Sequence, residues 1–163
     1  MNWRVAKSLL TLREQVNAIA PNRSKKSDGT IGDSSHQPRA SDHNPNADGV
    51  VTAMDITNDP NNGVDARALA ELLRNSKDSR IKYVISNSQI FSSTKSPWEW
   101  RKYTGSNAHT KHVHISVVGD KTLYDDVKPW PIEMVSKIEP PPQIPLPGTG
   151  ELGNFEKCMQ VIE

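Results

Sequence analysis

His109-Thr-Lys-His-Val-His-Ile-Ser-Val-Val118, written HTKHVHISVV, holds three of the chain's five histidines within six residues. Its second half alternates, which predicts a strand from His112 to Val118 with Val113, Ile115 and Val117 turned to a core. His112, His114 and Ser116 then share the opposite face. Two imidazoles therefore point into the same space. Histidine is the commonest metal ligand and the side chain best suited to moving protons near neutral pH, so the crowding points to chemistry. Taken alone, a His-x-His pair on a strand is more often a polar face than a metal site.

Working outward, the run GVVTAMDIT predicts a second strand, Val50 to Thr57, from its β-branched content. Its parity puts Val51, Ala53 and Asp55 on one face and Val50, Thr52, Met54 and Ile56 on the other. Asp55 is a solitary carboxylate in apolar company, which is costly unless a cation or hydrogen-bond donors satisfy it. His43 lies upstream in SDHNPNADG. Together these residues offer the nitrogen and oxygen donors that Zn²⁺ accepts, and three protein ligands leave a fourth position open, as a catalytic site requires. Mn²⁺ or Co²⁺ would suit the same donors.

The remaining elements frame this pair of strands. Val5, Leu9, Leu12, Val16 and Ile19 recur at helical spacing, predicting an amphipathic helix that Pro21 stops and that packs on a sheet. The segment from Asn22 to Gly49 is rich in Gly, Pro, Asn, Asp and Ser and reads as long loops, with a brief strand at Gly29 to Asp33. Asp65 is the expected N-cap of a second helix whose buried stripe is Ala66, Leu69, Ala70, Leu72 and Leu73, ending within Asn75 to Ser79. Ile81 to Ser86 and Gln89 to Phe91 form a hairpin-like pair around Asn87. From about Glu139 the composition shifts to EPPPQIPLPGTG, an extended linker, so a domain at 1–138 is followed by a Pro-rich linker and tail at 139–163.

Composition narrows the classes. At 163 residues there is room for one ordinary domain. A net charge of +1 provides no basic field to gather nucleic acid, so no nucleic-acid partner is expected. No apolar run approaches the ~20 residues of a membrane span, and the N-terminus lacks a signal-peptide core with a cleavage site, so synthesis in the cytoplasm without membrane insertion is expected. Cys158 is the only cysteine, which excludes an intrachain disulfide and a Cys-rich finger; any metal must be held by His and carboxylate. A monomer is expected.

Ser41-Asp42-His43, Asp55 in TAMDIT, and His112-Val113-His114 resemble the motifs of the D-alanyl-D-alanine carboxypeptidase type of zinc peptidases. That family shares a fold with lysostaphin-type endopeptidases and the hedgehog signalling domain. The HxxHxH of His109, His112 and His114 is similar to that of the penicillin-insensitive murein endopeptidases of the same group, and the likeness covers roughly residues 30 to 118. It implies an α+β fold with a central antiparallel sheet carrying a zinc site and helices packed behind. It also implies Zn²⁺ on His43, Asp55 and His114, His112 as general base towards the attacking water, and His109 holding substrate or stabilising the oxyanion. Arg39, four residues before His43, corresponds to an arginine that polarises the scissile carbonyl or holds a carboxylate, with Arg23 as rival and a surface arginine as the plain alternative. Two departures stand out. The classical carboxypeptidases use a Glu where this chain has Thr110 and Lys111, and the gap between His43 and Asp55 is longer than the family's, with NPNADGVV free to form a longer turn.

The resemblance implies a peptidoglycan peptidase, with a cell-wall peptide as substrate, of the kind found in phage or prophage lysins that reach the wall after release or by virion delivery. Cleavage of a D-alanyl-diaminopimelate crosslink, removal of a terminal D-Ala and cleavage of L-alanyl-D-glutamate all stay open. The alternative from another class is a non-catalytic, zinc-stabilised binding module, since fold does not dictate function. Trp98, Trp100 and Tyr103 form either a substrate-stacking wall or a local core. Ser41 either supports the neighbouring ligand or forms a turn, Asp48 fits a turn, and Asp59 fits a turn with lining of the cleft as its alternative.

Overall fold

The computed structural model describes residues 2–32 and 40–132. Arg39, the domain boundary at 138 and the Pro-rich linker and tail lie outside the described residues. In chain order the elements are β1 (Arg4–Val5), α1 (Lys7–Ile19), β2 (Val50–Val51), β3 (Ala53–Thr57), a 3₁₀ turn (Pro60–Asn62), α2 (Ala66–Ser76), β4 (Ile81–Ser86), β5 (Gln89–Ser92), β6 (Arg101–Lys102), β7 (His112–Val117) and α3 (Lys121–Tyr124). Five strands form one antiparallel sheet in the order β3-β7-β4-β5-β6, so the expected α+β class with a central antiparallel sheet holds. No helix among the described residues is long and apolar enough to cross a membrane.

One face of the sheet is the floor of the core. Met54 and Ile56 from β3, Val113, Ile115 and Val117 from β7, Ile81 and Val84 from β4 and Phe91 from β5 are all buried there. Leu9, Leu12 and Val16 of α1 and Leu69, Ala70 and Leu73 of α2 cover them in one continuous cluster. Each large side chain withdrawn from water contributes about 1.5–3 kcal/mol, so the helical stripes hold the sheet's back face dry. The opposite face is left for polar work. The alternation in HVHISV was sufficient to predict which face is which.

The helix ends follow local rules at one helix and a long-range rule at the other. Asp65 caps α2, its carboxylate accepting from the backbone N–H groups of Arg67 and Ala68 at 2.8 and 3.0 Å. Lys77 closes that helix in the left-handed conformation. Helix α1 has no cap of its own. Asp125, beyond α3, accepts from Lys7 N–H at 3.2 Å and is clamped by both terminal nitrogens of Arg4 at 2.8 and 2.7 Å. The hairpin turns through Asn87 and Ser88, both with positive φ, as a two-residue turn between antiparallel strands demands.

Three sequence expectations need correction. Val5 belongs to β1, not to α1; it pairs in parallel with Val51. The single strand Val50 to Thr57 is two strands, because Val50 and Val51 bond to β1 while Ala53 to Thr57 bond to β7. The brief strand at Gly29 to Asp33 reduces to one bridge between Gly29 and Asp55, with Asp33 outside the described residues.

Behind the sheet, Arg80 is 2% exposed. It meets Asp78 through two nitrogens, Nε at 2.9 Å and a terminal nitrogen at 2.6 Å, and lies 3.9 Å over the Trp130 ring. Burial raises the Asp78 carboxyl, but the hydrogen bonds from Arg80 outweigh it and hold the group below its ordinary value. The same balance lowers Asp28, which is held by Arg23 and Thr57. A depressed folded-state value contributes stability above the unfolded-state value of about 4, and that contribution is lost as pH falls through the folded value. Acid should therefore destabilise the protein progressively below about pH 4. Asp78→Asn should cost roughly 3 kcal/mol at pH 7 by leaving Arg80 buried without its anion, and should flatten the acid limb in urea titrations across pH.

Candidate metal centre

The register Asp55↔His114 between β3 and β7 fixes the heart of the site, since cross-strand partners in an antiparallel ladder project from the same face. His114 Nδ1 lies 3.0 Å from Asp55 Oδ1. His43 arrives from the loop before β2, with Nε2 at 3.1 Å from His114 Nδ1 and 3.4 Å from Asp55 Oδ1. The turn that follows it is built by Asn46, whose side-chain oxygen accepts from Asp48 and Val50 N–H, so the longer His43–Asp55 gap is spent on a turn. Ser41 supports the approach, its hydroxyl accepting from His43 N–H at 3.2 Å.

The tautomers follow from the partners. Thr30 O can only accept, so His43 Nδ1 donates to it at 2.6 Å and Nε2 presents a lone pair to the site. Ser116 Oγ stands 2.9 Å from His114 Nε2, and when it accepts there, Nδ1 presents its lone pair too. Two imidazole lone pairs and a carboxylate oxygen within 3.4 Å of one another repel unless a positive centre lies among them. A proton serves two of the three; a metal ion serves all. Tetrahedral arms of ~2.0–2.1 Å set ligand atoms roughly 3.3 Å apart, close to the spacing seen here. His43, Asp55 and His114 thus form a partly buried group able to hold a metal ion. Outer hydrogen bonds from a backbone carbonyl and a hydroxyl orient both rings, as metal-ligating histidines require.

The electrostatics agree. Burial raises Asp55, but His114 and His43, which donate to it when their rings are protonated, more than reverse this and keep the carboxyl well below its ordinary range, so it is anionic. Burial lowers His43, while the hydrogen bond and charge of Asp55 raise it to a net value above that of a free histidine. The site is thus one anion with two basic rings drawn towards it.

The other two histidines stand beside this group. His112 Nε2 is 3.8 Å from Asp55 Oδ2, too far for a hydrogen bond and near enough to face the same space. Burial lowers its pKa, and His114 and His43 lower it further against the pull of Asp55, so the ring is neutral at pH 7. His109 packs edge-on to both His112 and His114, with centroids at 5.0 and 5.5 Å. Burial and those two neighbours push it down to about 4. Its backbone has φ of 51° and is pinned on both sides: its N–H donates to Asn107 Oδ1, and its carbonyl accepts from Asn87 N–H. A non-glycine residue in this region costs free energy and persists where the surroundings over-determine it. Its Nδ1 is buried without a partner among the described residues.

Several sequence candidates lie elsewhere. Arg23, the rival of Arg39, is buried against Asp28 at 2.7 Å and Asn17 at 2.8 Å, which is a structural role. Trp98 and Trp100 pack against Phe91 on the core side, and Trp100 Nε1 donates to Glu71 of α2 at 2.7 Å, so they are core and not a wall for substrate. Tyr103 alone of the three reaches the site, edge-on to His109 at 5.5 Å. A Cβ at Gly105 would collide with its hydroxyl. Asp59 receives Ser24 N–H and the Asn62 amide as a turn former, and Asp48 accepts from Tyr124.

Sequence reading missed Tyr83. A bulge at Lys82 shifts the β4–β7 register between Ile81 and Tyr83, so Ile81 enters the core while Tyr83 turns to the metal face. Its ring stacks on His114 at 5.4 Å, and its hydroxyl bonds with Ser116 and Asp42. Burial raises this phenol to about 12, opposed by Ser116 and assisted by Asp42, so it stays protonated. Lys82 itself grips both oxygens of Asp42 at 2.9 Å. Plain alternation would have placed Ile81 and Tyr83 on the same face.

Comparison of the chain with protein-family models, curated proteins and solved structures finds no match.

Zinc titrated into the protein should bind at one equivalent by calorimetry and, at one hundred times Kd, add about 2.7 kcal/mol to stability. Asp55→Asn and His43→Ala should abolish that gain. Gly29→Ala is a sharper probe, because its Cβ would lie 2.9 Å from Asp55 Oδ2; displacing the carboxylate should weaken zinc binding about tenfold or more.

Proposed function

We propose that the protein is a zinc-dependent peptidase that hydrolyses an amide bond in bacterial cell-wall peptides, of the D-alanyl-D-alanine carboxypeptidase type with the fold that this implies. The observation that carries the reading is the coexistence, on one sheet face, of a three-atom donor set spaced for a metal and a neutral His112 that the donor set does not use. A purely structural metal site has no need of the second histidine.

Zn²⁺ held by His43, Asp55 and His114 would bring a water's pKa towards ~7 and polarise a carbonyl. The chain's own residues do the rest. His112, neutral at pH 7 and facing the ligand set, accepts the proton of the attacking water and returns it to the leaving amine. His109, neutral and with a buried Nδ1 lacking a partner among the described residues, is positioned to donate a hydrogen bond to the oxygen on which charge develops, with Tyr103 behind it. Ser116 and Tyr83 hold the His114 ring so that its Nδ1 faces the other ligands.

Purified peptidoglycan incubated with the protein should release peptide fragments when zinc is supplied and none with chelator, and mass spectrometry of the new termini should identify the bond. His112→Ala should retain one zinc and lose about a hundredfold or more in kcat. Absence of zinc-dependent cleavage would leave the binding-module reading standing, and unchanged turnover in His112→Ala would remove it as the base.

A further inference from the structure

The strand register draws a straight row across the open face of the sheet. Asp55 pairs with His114, His114 with Ile85, Ile85 with Ile90, and Ile90 with Arg101. Cross-strand partners share a face, so Arg101 stands on the same face as the metal group, with two isoleucines between them. Arg4, Arg23, Arg67, Arg74 and Arg80 each meet a carboxylate. Arg101, like Arg13 on α1, meets none among the described residues. Its one bond there is a long one, 3.4 Å from a terminal nitrogen to Ser92 Oγ, and its Nε is buried with no partner. A half-buried guanidinium with an unfilled donor calls for an acceptor, and its fork of N–H groups matches a carboxylate.

We propose that Arg101 is the anion-binding subsite of this cleft and takes a carboxylate of the substrate peptide, making the protein selective for acidic peptides. Three strand spacings separate β7 from β6, roughly 14 Å between backbones. An extended peptide covers about 3.4 Å per residue, so the recognised carboxylate lies within about four residues of the bond that is cut. Ile85 and Ile90 floor the interval. With no charge of their own, they leave Arg101 as the row's only cation outside the histidines. The inference rests on the peptidase reading for the identity of the ligand, while the subsite itself rests on the register and the unfilled donor.

The test uses the zinc-supplemented full chain and two probes: the stem pentapeptide L-Ala-D-Glu-diaminopimelate-D-Ala-D-Ala, and the same peptide with its D-Glu and diaminopimelate carboxylates amidated. Binding is measured by calorimetry and cleavage by kcat/KM, for the wild type, Arg101→Lys and Arg101→Ala. The wild type should prefer the free carboxylates tenfold or more, chiefly through Kd and KM, as loss of a charge-assisted hydrogen bond implies. Arg101→Ala should reduce the preference below twofold, and Arg101→Lys should restore part of it by keeping the charge without the fork. Equal binding of the two peptides by the wild type would overturn the proposal. So would an undiminished preference in Arg101→Ala that retains zinc binding, since a merely structural bond to Ser92 predicts that result. If the wild type cuts neither peptide, the binding comparison still decides for or against the subsite, and the peptidase reading stands or falls separately on zinc-dependent cleavage of whole peptidoglycan.

Discussion

The constraint on which the rest depends is the pairing of Asp55 with His114 across β3 and β7. A carboxylate in an otherwise apolar strand is tolerable only where something positive or hydrogen-donating meets it. The antiparallel ladder supplies a ring nitrogen at 3.0 Å, and the loop before β2 supplies a second at 3.4 Å. The cost of burying the charge thereby becomes a reason for the fold to bring His43 home. Gly29 belongs to the same constraint: its backbone exchanges N–H and carbonyl bonds with Asp55, and no larger residue fits beside Oδ2. The loop carrying Thr30, which orients His43, is anchored by that bridge.

The division of the sheet into two faces turns that pairing into a site. Behind it, α1 and α2 exclude water from Met54, Ile56, Val113 and Ile115, so the strands cannot slip by one residue without exchanging core for histidine. The register is therefore held by the buried apolar side chains of both layers, and the metal group inherits their rigidity. The strap from Asp120 to Ile132 reinforces the arrangement from the far side. Asp125 caps α1, and Trp130 donates to Ser8 O at 2.8 Å while Gln15 binds its backbone in both directions.

Much of this was legible in the sequence because it depends on period-two alternation and on capping chemistry. HVHISV and TAMDIT each declare a core face and a polar face, and Asp65 declares a helix start. What was illegible depends on pairing over distance. Nothing in VVTAMDIT says that its first two residues bond to Arg4 and Val5, because parallel pairing with a terminal strand leaves no local mark. Nothing in IKYVIS announces a bulge, yet the bulge decides that Ile81 enters the core although it shares parity with Tyr83 and Ile85. The tryptophans were ambiguous for a related reason. Aromatic side chains suit a core and a sugar-stacking wall equally, and only Glu71 and Arg67 on α2 decide for the core.

Tyr83 and Ser116 matter beyond packing. A histidine on a strand has its ring direction set by χ rotation, and the strand backbone alone does not fix it. His114 is fixed by three contacts of different kinds: the Tyr83 ring against its face, Ser116 at Nε2, and Asp55 at Nδ1. Tyr83 shares the metal face with Ile85 by regular alternation, and the extra residue at Lys82 then returns the strand to the core at Ile81. The irregularity thus lets one short strand give Tyr83 to the metal face and Ile81 to the core, while Lys82 reaches Asp42.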